Sequence, residues 1–436
     1  MTSNSGVGTF VTEAHELVSN GLDIFNGPTV DSSLLHGKTF TIYPSSVITQ
    51  TGPYDFIVPS DGQDWTDLPF TRLEGLIEIT KADGTALGDT DLNAYVNMLP
   101  HSIFKQLEVY INNTLVSDLS TPTYPWKCII EKILSYPEDV KKTALQLEMY
   151  DEEDLGKENT FTKDSKVFKK RHAKAVKGKC YFSVVLHSDI FHSVKYLMPG
   201  CEMKLKLIRN TDDFVILGAT KIAKTKISEL CLQVRRVTVD DVLLDKLEST
   251  LTSKPAIYPL TPGRIKTATI YKEIKVDRVS NLYRGILPKS IIFCFVKSKA
   301  FDGDVASNPF VFEHFDLNGF QVYVNGEPHF AQPLQPDFDS DKYFREYRWF
   351  LDNIGLGHGS NSVGIDMETF KTNKFFIPID FSPNLSNGFD LTPPKEGFID
   401  VMISFKNALP QNVTMIAYAT FNEILTIDKD RRVTLV

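Results

Sequence analysis

Apolar and polar residues alternate through much of residues 70–81 (FTRLEGLIEITK), the signature of a strand with one buried face. Short runs rich in Val, Ile, Phe, Tyr and Thr recur along the whole chain. They predict strands at 38–43, 54–59, 180–186, 201–209 and 226–239 in the first half. The second half gives strands at 264–276, 289–297, 319–325, 374–379, 398–405 and 413–427. Residues 104–116 form a hairpin. Helical spacing appears at 125–136, 138–150, 240–251 and 341–354, the last ended by Gly355. The acidic start of 240–251 (DDVLLDKLESTL) suits a helix dipole.

One phrase occurs twice. Val109-Tyr110-Ile111-Asn112-Asn113 returns as Val322-Tyr323-Val324-Asn325-Gly326, 213 residues later in a chain of 436. Each copy reads as a strand entering a two-residue turn, and Asn-Gly suits type I′, where both central residues need positive φ. A Pro-containing loop and an aromatic-rich helical run follow each copy. A second echo closes each half: Val237-Thr238-Val239-Asp240 and Leu425-Thr426-Ile427-Asp428. A repeat this long is not a solenoid, whose units run about 20–50 residues. It predicts two similar domains in tandem.

Eight or so short strands per half point to a mainly β fold of two tandem eight-stranded jelly rolls, with helical insertions in the loops. The expected divisions are an N-terminal arm at 1–36 and a first jelly roll at 37–239. Within that roll fall helices near 125–150 and a charged loop at 151–179. A helical, Pro-rich linker at 240–263 and a second jelly roll at 264–436 complete the chain. The arm is polar and Gly/Ser-rich, with an amphipathic stretch at 14–22.

Composition agrees with a packed β protein: 42% hydrophobic, 23% charged, with 30 Phe, 16 Tyr, 23 Pro and 25 Gly. A net charge of −8 disfavours a protein coated all over with nucleic acid, though not one basic face. Five cysteines, an odd number with no C-x-x-C pair, predict buried free thiols in a reducing compartment. The polar residues 1–8 predict no signal peptide, and no apolar run is long enough for a membrane span.

The search for chemistry nominates no catalytic residue, cofactor or metal ligand. There is no G-x-x-x-x-G-K-[ST] loop and no G-x-S-x-G elbow. Gly355-Leu356-Gly357-His358-Gly359 follows a helix, so it reads as a glycine cap and loop, not a dinucleotide fingerprint. His187 and His192 are five apart, which on a strand puts them on opposite faces and argues against a helical metal pair. The acidic run Asp151–Asp154 reads as a solvated face or as an intersubunit contact with a basic patch. The basic run at 163–179 includes Lys169, Lys170, Arg171 and Lys174. It reads as a solvated loop, a nuclear-import signal, or a patch meeting phosphates or the acidic loop of a neighbouring subunit. With few rings in it, sequence-specific nucleic-acid reading is not expected. Trp126, Tyr343, Tyr347, Trp349 and Phe350 make the helical insertions heavily aromatic. They serve either the core or a subunit interface. Aromatics on more than one face of the second helix favour a second partner.

Several phrases in order carry a resemblance. They are Leu99-Pro100-His101-Ser102-Ile103-Phe104 running into Val109-Tyr110-Ile111-Asn112, then Thr123-Tyr124-Pro125 and Leu134-Ser135-Tyr136. Leu287-Pro288-Lys289, Ala300-Phe301-Asp302-Gly303, Asn308-Pro309-Phe310 and Pro333-Leu334-Gln335-Pro336-Asp337-Phe338 follow. Over about residues 35–430 the chain resembles the double jelly-roll major capsid proteins of Maverick/Polinton elements and adintovirus-like viruses. The resemblance implies a homotrimer forming a pseudo-hexameric capsomer that tiles an icosahedral shell around a DNA genome. It implies penton and minor capsid proteins as partners and the virion as location, after synthesis in the host cytoplasm, with or without nuclear import. It implies no catalytic residue. The competing reading from the residues is a two-domain β-sandwich glycan-binding protein, followed by an enzyme with acids converging between the domains.

Overall fold

The computed structural model describes residues 31–435 except 61, 118–121, 358–360 and 383–392. Most of the expected arm, the amphipathic stretch at 14–22 and the end of the Gly355–Gly359 phrase lie outside the described residues.

Two four-stranded sheets build the first half. One runs β1 (Leu34–Ile42), β10 (Ala223–Val239), β3 (Trp65–Lys81), β7 (Lys179–Val185). The other runs β2 (Tyr54–Val58), β8 (Met203–Arg209), β5 (Phe104–Ile111), β6 (Thr114–Leu115). The second half repeats the plan with β12 (Gly263–Ile270), β19 (Val413–Thr420), β14 (Ser290–Lys297), β17 (Ile377–Asp380). Its second sheet runs β13 (Val276–Ile286), β18 (Glu396–Phe405), β15 (Leu317–Val324), β16 (Glu327–Pro328). If the eight sandwich strands of each half are counted in chain order, both halves read first-eighth-third-sixth and second-seventh-fourth-fifth. That order, antiparallel throughout, is a jelly roll. Two small sheets complete the fold: β4 (Asn93–Tyr95) with β9 (Ile216–Gly218), and β11 (Ala256–Leu260), β20 and β21 (Glu423–Ile427, Val433–Leu435).

The repeated phrase occupies the same hairpin in both domains, between the fourth and fifth strands. Asn112 and Asn113 have φ of 46° and 67°, and Asn325 and Gly326 have 54° and 86°, as a type I′ turn requires. The shared asparagine does the same work twice. The Asn112 N–H donates to the Glu202 carbonyl at 2.9 Å, and Asn112 Oδ1 accepts the Glu202 N–H at 2.8 Å. The Asn325 N–H donates to the Phe398 carbonyl at 3.0 Å, and Asn325 Oδ1 accepts the Phe398 N–H at 2.9 Å. Each side chain thus carries the ladder one residue past the turn, which an apolar residue there could not do. The second echo does not mark equivalent strands: its first copy closes β10, the eighth sandwich strand, and its second closes β20 of the small three-stranded sheet, and the aspartates differ too. Asp240 caps the helix Asp241–Leu251 through the N–H groups of Val242 and Leu243, whereas Asp428 accepts the Arg432 N–H at 2.8 Å in the β20–β21 turn.

Other expectations need revision. The segment 256–260, read as linker, is β11, paired to β20 in the order Ala256↔Ile427 to Leu260↔Glu423. Pro259 is tolerated there because β11 is an edge strand. The strand expected at 264–276 ends at Ile270, and β13 was missed: it is mostly exposed and its pairing shifts register between Val279 and Tyr283, so alternation is lost. The strand expected at 413–427 breaks into β19 and β20. The helix expected at 138–150 is a short helix, Glu138–Lys142, followed by a 3₁₀ turn, Ala144–Glu148. The basic run is not a loop: Lys166–Val176 is a helix whose N-cap, Ser165, accepts the Phe168 N–H.

Gly75 shows how closely the first sandwich is packed. It lies in β3 beside the register shift between Ile227 and Glu229 of β10. A Cβ at this position would stand 2.4 Å from the Glu229 carbonyl oxygen. That oxygen belongs to a neighbouring strand and cannot swing away. Gly75→Ala is expected to lower stability by about 1–3 kcal/mol through overpacking, measured by chemical denaturation. Gly62→Ala, with nothing within 4 Å of the new methyl, is the control.

Candidate functional site

The aromatic candidates are structural. Trp126 sits in the helix Tyr124–Ser135, whose apolar face is buried almost throughout. Its ring is 2% exposed and stacks on Phe301 at 5.2 Å between centroids. The edges of Phe214, Phe310 and Phe312 close around it. Phe301, Phe310 and Phe312 belong to the second domain, so Trp126 cements the two jelly rolls of one chain and is not available to another subunit. Tyr343 and Phe350 are likewise buried, against Phe338 and Phe370. Tyr347 donates its hydroxyl to the Ile365 carbonyl at 3.0 Å, and Trp349 its indole N–H to the Pro378 carbonyl at 2.8 Å. The second face of the helix Phe344–Asn353 is therefore partly covered by its own domain, with Tyr347 and Trp349 half-buried. The ring that does face solvent is Phe344, 65% exposed.

Two of the four basic residues expected to meet charge outside the chain, Lys170 and Arg171, pair within it. Arg171 is buried and its guanidinium lies 2.8 Å from Glu153 and 3.5 Å from Asp151. Lys170 pairs with Asp151 as well. Burial pushes the Glu153 carboxyl up, and the Arg171 charge opposes it. Glu152 pairs with Lys374 of the second domain, and Glu158 accepts the Asn373 amide at 2.6 Å. The acidic run is thus a clasp between the basic helix and the second jelly roll. Lys169 is exposed and Lys174 half-buried on that helix.

Two features escaped sequence reasoning. The first is an open depression of about 920 Å³ on the first sandwich, over Gly75, Phe182 and Leu230. Four large apolar side chains rim it: Tyr43, Val47, Leu147 and Tyr181, exposed by 71%, 85%, 65% and 68%. They come from three separate segments, so no local pattern marks them. Only the exposed alternate of β7, Tyr181, carried a signal.

The second is a buried polar cluster at the domain boundary. His187, directly after β7, hydrogen-bonds Glu131 through Nδ1. Glu131 also accepts the Tyr418 hydroxyl, from the second domain, at 2.8 Å. His101 lies between the Tyr124 hydroxyl and Glu148, each at 3.1 Å. Lys132 holds the other Glu148 oxygen at 2.9 Å, and Lys127 holds Asp189 at 3.0 Å. Burial pushes the His187 imidazole down to about 4. Burial alone would raise Glu131 and Glu148, yet their lysine and histidine partners hold both at about 2. His192 does not occupy a strand, as its spacing from His187 assumed, but ends a 3₁₀ turn, Asp189–His192. Nothing here has the exposed nucleophile or open cleft of a hydrolytic site.

No protein-family model matches the chain. An uncharacterized protein of Caenorhabditis elegans, F54H12.2, is 24% identical over 397 residues, covering 86% of this chain and 91% of that one. Among solved structures, a chain of the Sputnik virophage aligns with a TM-score of 0.63 and 10% identity, covering 97% of this chain and 93% of its own. A chain of the PBCV-1 virus capsid gives 0.59 and 10%, covering 94% and 99%. The Faustovirus major capsid protein gives 0.54 and 9%, covering 96% and 94%. Identity this low speaks to fold, and the shared fold is the double jelly roll.

Proposed function

We propose that this chain is a major capsid protein, a structural subunit without catalytic activity. One observation carries the reading. Two jelly rolls of identical strand order are clamped side by side in one chain, an arrangement shared with viral capsid proteins over nearly the full length of each chain. Physically, such a chain offers two similar edges, so three copies can close a ring of six jelly rolls by heterologous contacts. That ring is the pseudo-hexameric capsomer, and its side faces tile the shell. The domains differ in turn sequence and in the charged helix and clasp, which only the first carries. The six-fold symmetry would then be approximate.

The apolar depression around Tyr43, Val47, Leu147 and Tyr181 suits a second copy of the chain. Contiguous exposed apolar surface of this kind marks interaction sites. A relative in a nematode is what a gene carried by an element resident in animal genomes would have, which favours the Maverick/Polinton assignment over a purely free-living virus.

Negative-stain microscopy and native mass spectrometry test the proposal. The expected particle has a hexagonal outline and three times the 49.2 kDa chain mass. The double variant Val47→Asp, Tyr181→Asp should keep the circular dichroism of the fold while weakening assembly. A wild-type chain that stays monomeric and never forms rings or shells would sink the proposal.

A further inference from the structure

We propose that His101, Glu148 and His187 form a binding site for one divalent transition-metal ion, of the zinc class, at the boundary between the two jelly rolls. The residues come from three separate parts of the chain: the short helix Leu99–Ser102, the end of the 3₁₀ turn Ala144–Glu148, and the residues after β7. All three are buried, and one ligand atom from each lies within 4.8 Å of the others. Two imidazoles and one carboxylate are the donor set of three-ligand zinc sites, in which water takes the fourth position.

The surroundings are built as such a site needs. A metal-bound imidazole commonly gives its other N–H to a carboxylate, which sets the tautomer and strengthens the ligand. Glu131 stands in that place on His187 Nδ1, and the Tyr418 hydroxyl fixes Glu131 in turn. With Nδ1 the donor, His187 Nε2 presents a lone pair. That nitrogen is buried and has no hydrogen-bond partner among the described residues. An unsatisfied buried acceptor costs about 1–3 kcal/mol, so a bound cation would remove a defect. Glu148 has one oxygen on Lys132 and the other 3.1 Å from His101 Nε2, a contact that an ion bound by both atoms would replace. Tyr124 can take the His101 Nδ1 proton in a hydrogen bond once Nε2 binds metal. The cluster holds three carboxylates, Glu131, Glu148 and Asp189, against two ammonium groups, Lys127 and Lys132. With neutral imidazoles, one negative charge is left over.

Zn–N distances of about 2.0–2.1 Å put tetrahedral ligand atoms roughly 3.4 Å apart. The widest pair, at up to 4.8 Å, must therefore close by up to about 1.4 Å, a shift made by side-chain rotation. The neighbouring group Glu131, His187, His192 is the weaker candidate. A metal there would displace the Glu131–His187 bond, and His192 is exposed.

The test is metal content of the full-length protein, stripped with chelator and dialysed against Zn²⁺. We expect one zinc per chain by mass spectrometry of the metal, and a rise in melting temperature on adding Zn²⁺. Co²⁺ should give the visible absorption of a four-coordinate site without the intense near-ultraviolet band of thiolate ligation, since the five cysteines are not ligands. His187→Ala and the near-isosteric Glu148→Gln should each lower affinity at least tenfold, while His192→Ala leaves it unchanged. Circular dichroism checks that each variant is folded, and Glu148→Gln serves if His187→Ala is not. Sub-stoichiometric zinc, thiolate-type Co²⁺ spectra, full affinity in Glu148→Gln, or loss in His192→Ala would each overturn the site.

Discussion

Trp126→Ala is expected to destabilise the protein by about 3–5 kcal/mol, the range for emptying a large aromatic site in a packed core. The cavity cannot collapse easily, because its walls belong to two domains with separate sheets. Phe301 stacks on the ring, while Phe310 and Phe312 meet its edge. All three would lose their main partner from the first jelly roll. The loss should appear as faster amide exchange at 298–312 and 124–135 together, in a chemical denaturation series with native-state exchange. Phe344→Ala, on an exposed ring, should stay within about 0.5 kcal/mol of wild type. Equal effects from the two variants would show that Trp126 does not hold the domains together.

Removing Arg171 should be of similar size for a different reason. Arg171→Met retains the aliphatic volume but leaves Glu153 buried without its cation, while Asp151 keeps Lys170. Breaking one side of a buried ion pair costs about 3–5 kcal/mol, mostly as an uncompensated charge. The decisive comparison is the double variant Arg171→Met, Glu153→Gln. It takes away the stranded carboxylate and should recover a large part of the loss in equilibrium denaturation. Lys169→Ala, on the exposed side of the same helix, should be close to neutral. If Lys169→Ala proved as harmful as Arg171→Met, the basic helix would act through its outer face and not through the clasp.

Arg171 and Trp126 also show where reading the sequence stopped. Trp126 reads as core or subunit interface, and Arg171 as part of a solvated loop, an import signal or an intersubunit patch, because charge runs and aromatic excess are properties of segments. Which partner a segment meets is a property of the fold. Arg171 finds its carboxylates about 20 residues back in the chain, and Trp126 finds its rings about 175 residues ahead. No periodicity encodes such distances. The same limit hid the histidine cluster. His101, Glu148 and His187 are far apart in sequence, and a spacing rule for local pairs could only dismiss them. The depression rimmed by Tyr43, Val47, Leu147 and Tyr181 is assembled from three segments in the same way.

Local physics did reach the architecture. Alternation marked β3, and runs of β-branched and aromatic residues marked most other sandwich strands, since these side chains fit a pleated, packed surface. The doubled V-Y-[IV]-N phrase located the same hairpin in each jelly roll, because the turn needs positive φ and its asparagine must bond the neighbouring strand. It failed where those causes are absent. β13 is an exposed edge strand with a register shift, and β11 is an edge strand bearing a proline. By itself, then, the sequence determined two jelly rolls in tandem, since side-chain period and turn chemistry are set by neighbours along the chain. Tertiary structure alone decided that Trp126 and the acidic clasp around Arg171 join those jelly rolls, while the rings of 343–350 pack mainly on the second. Burial and charge pairing depend on residues brought together only once both sandwiches have formed.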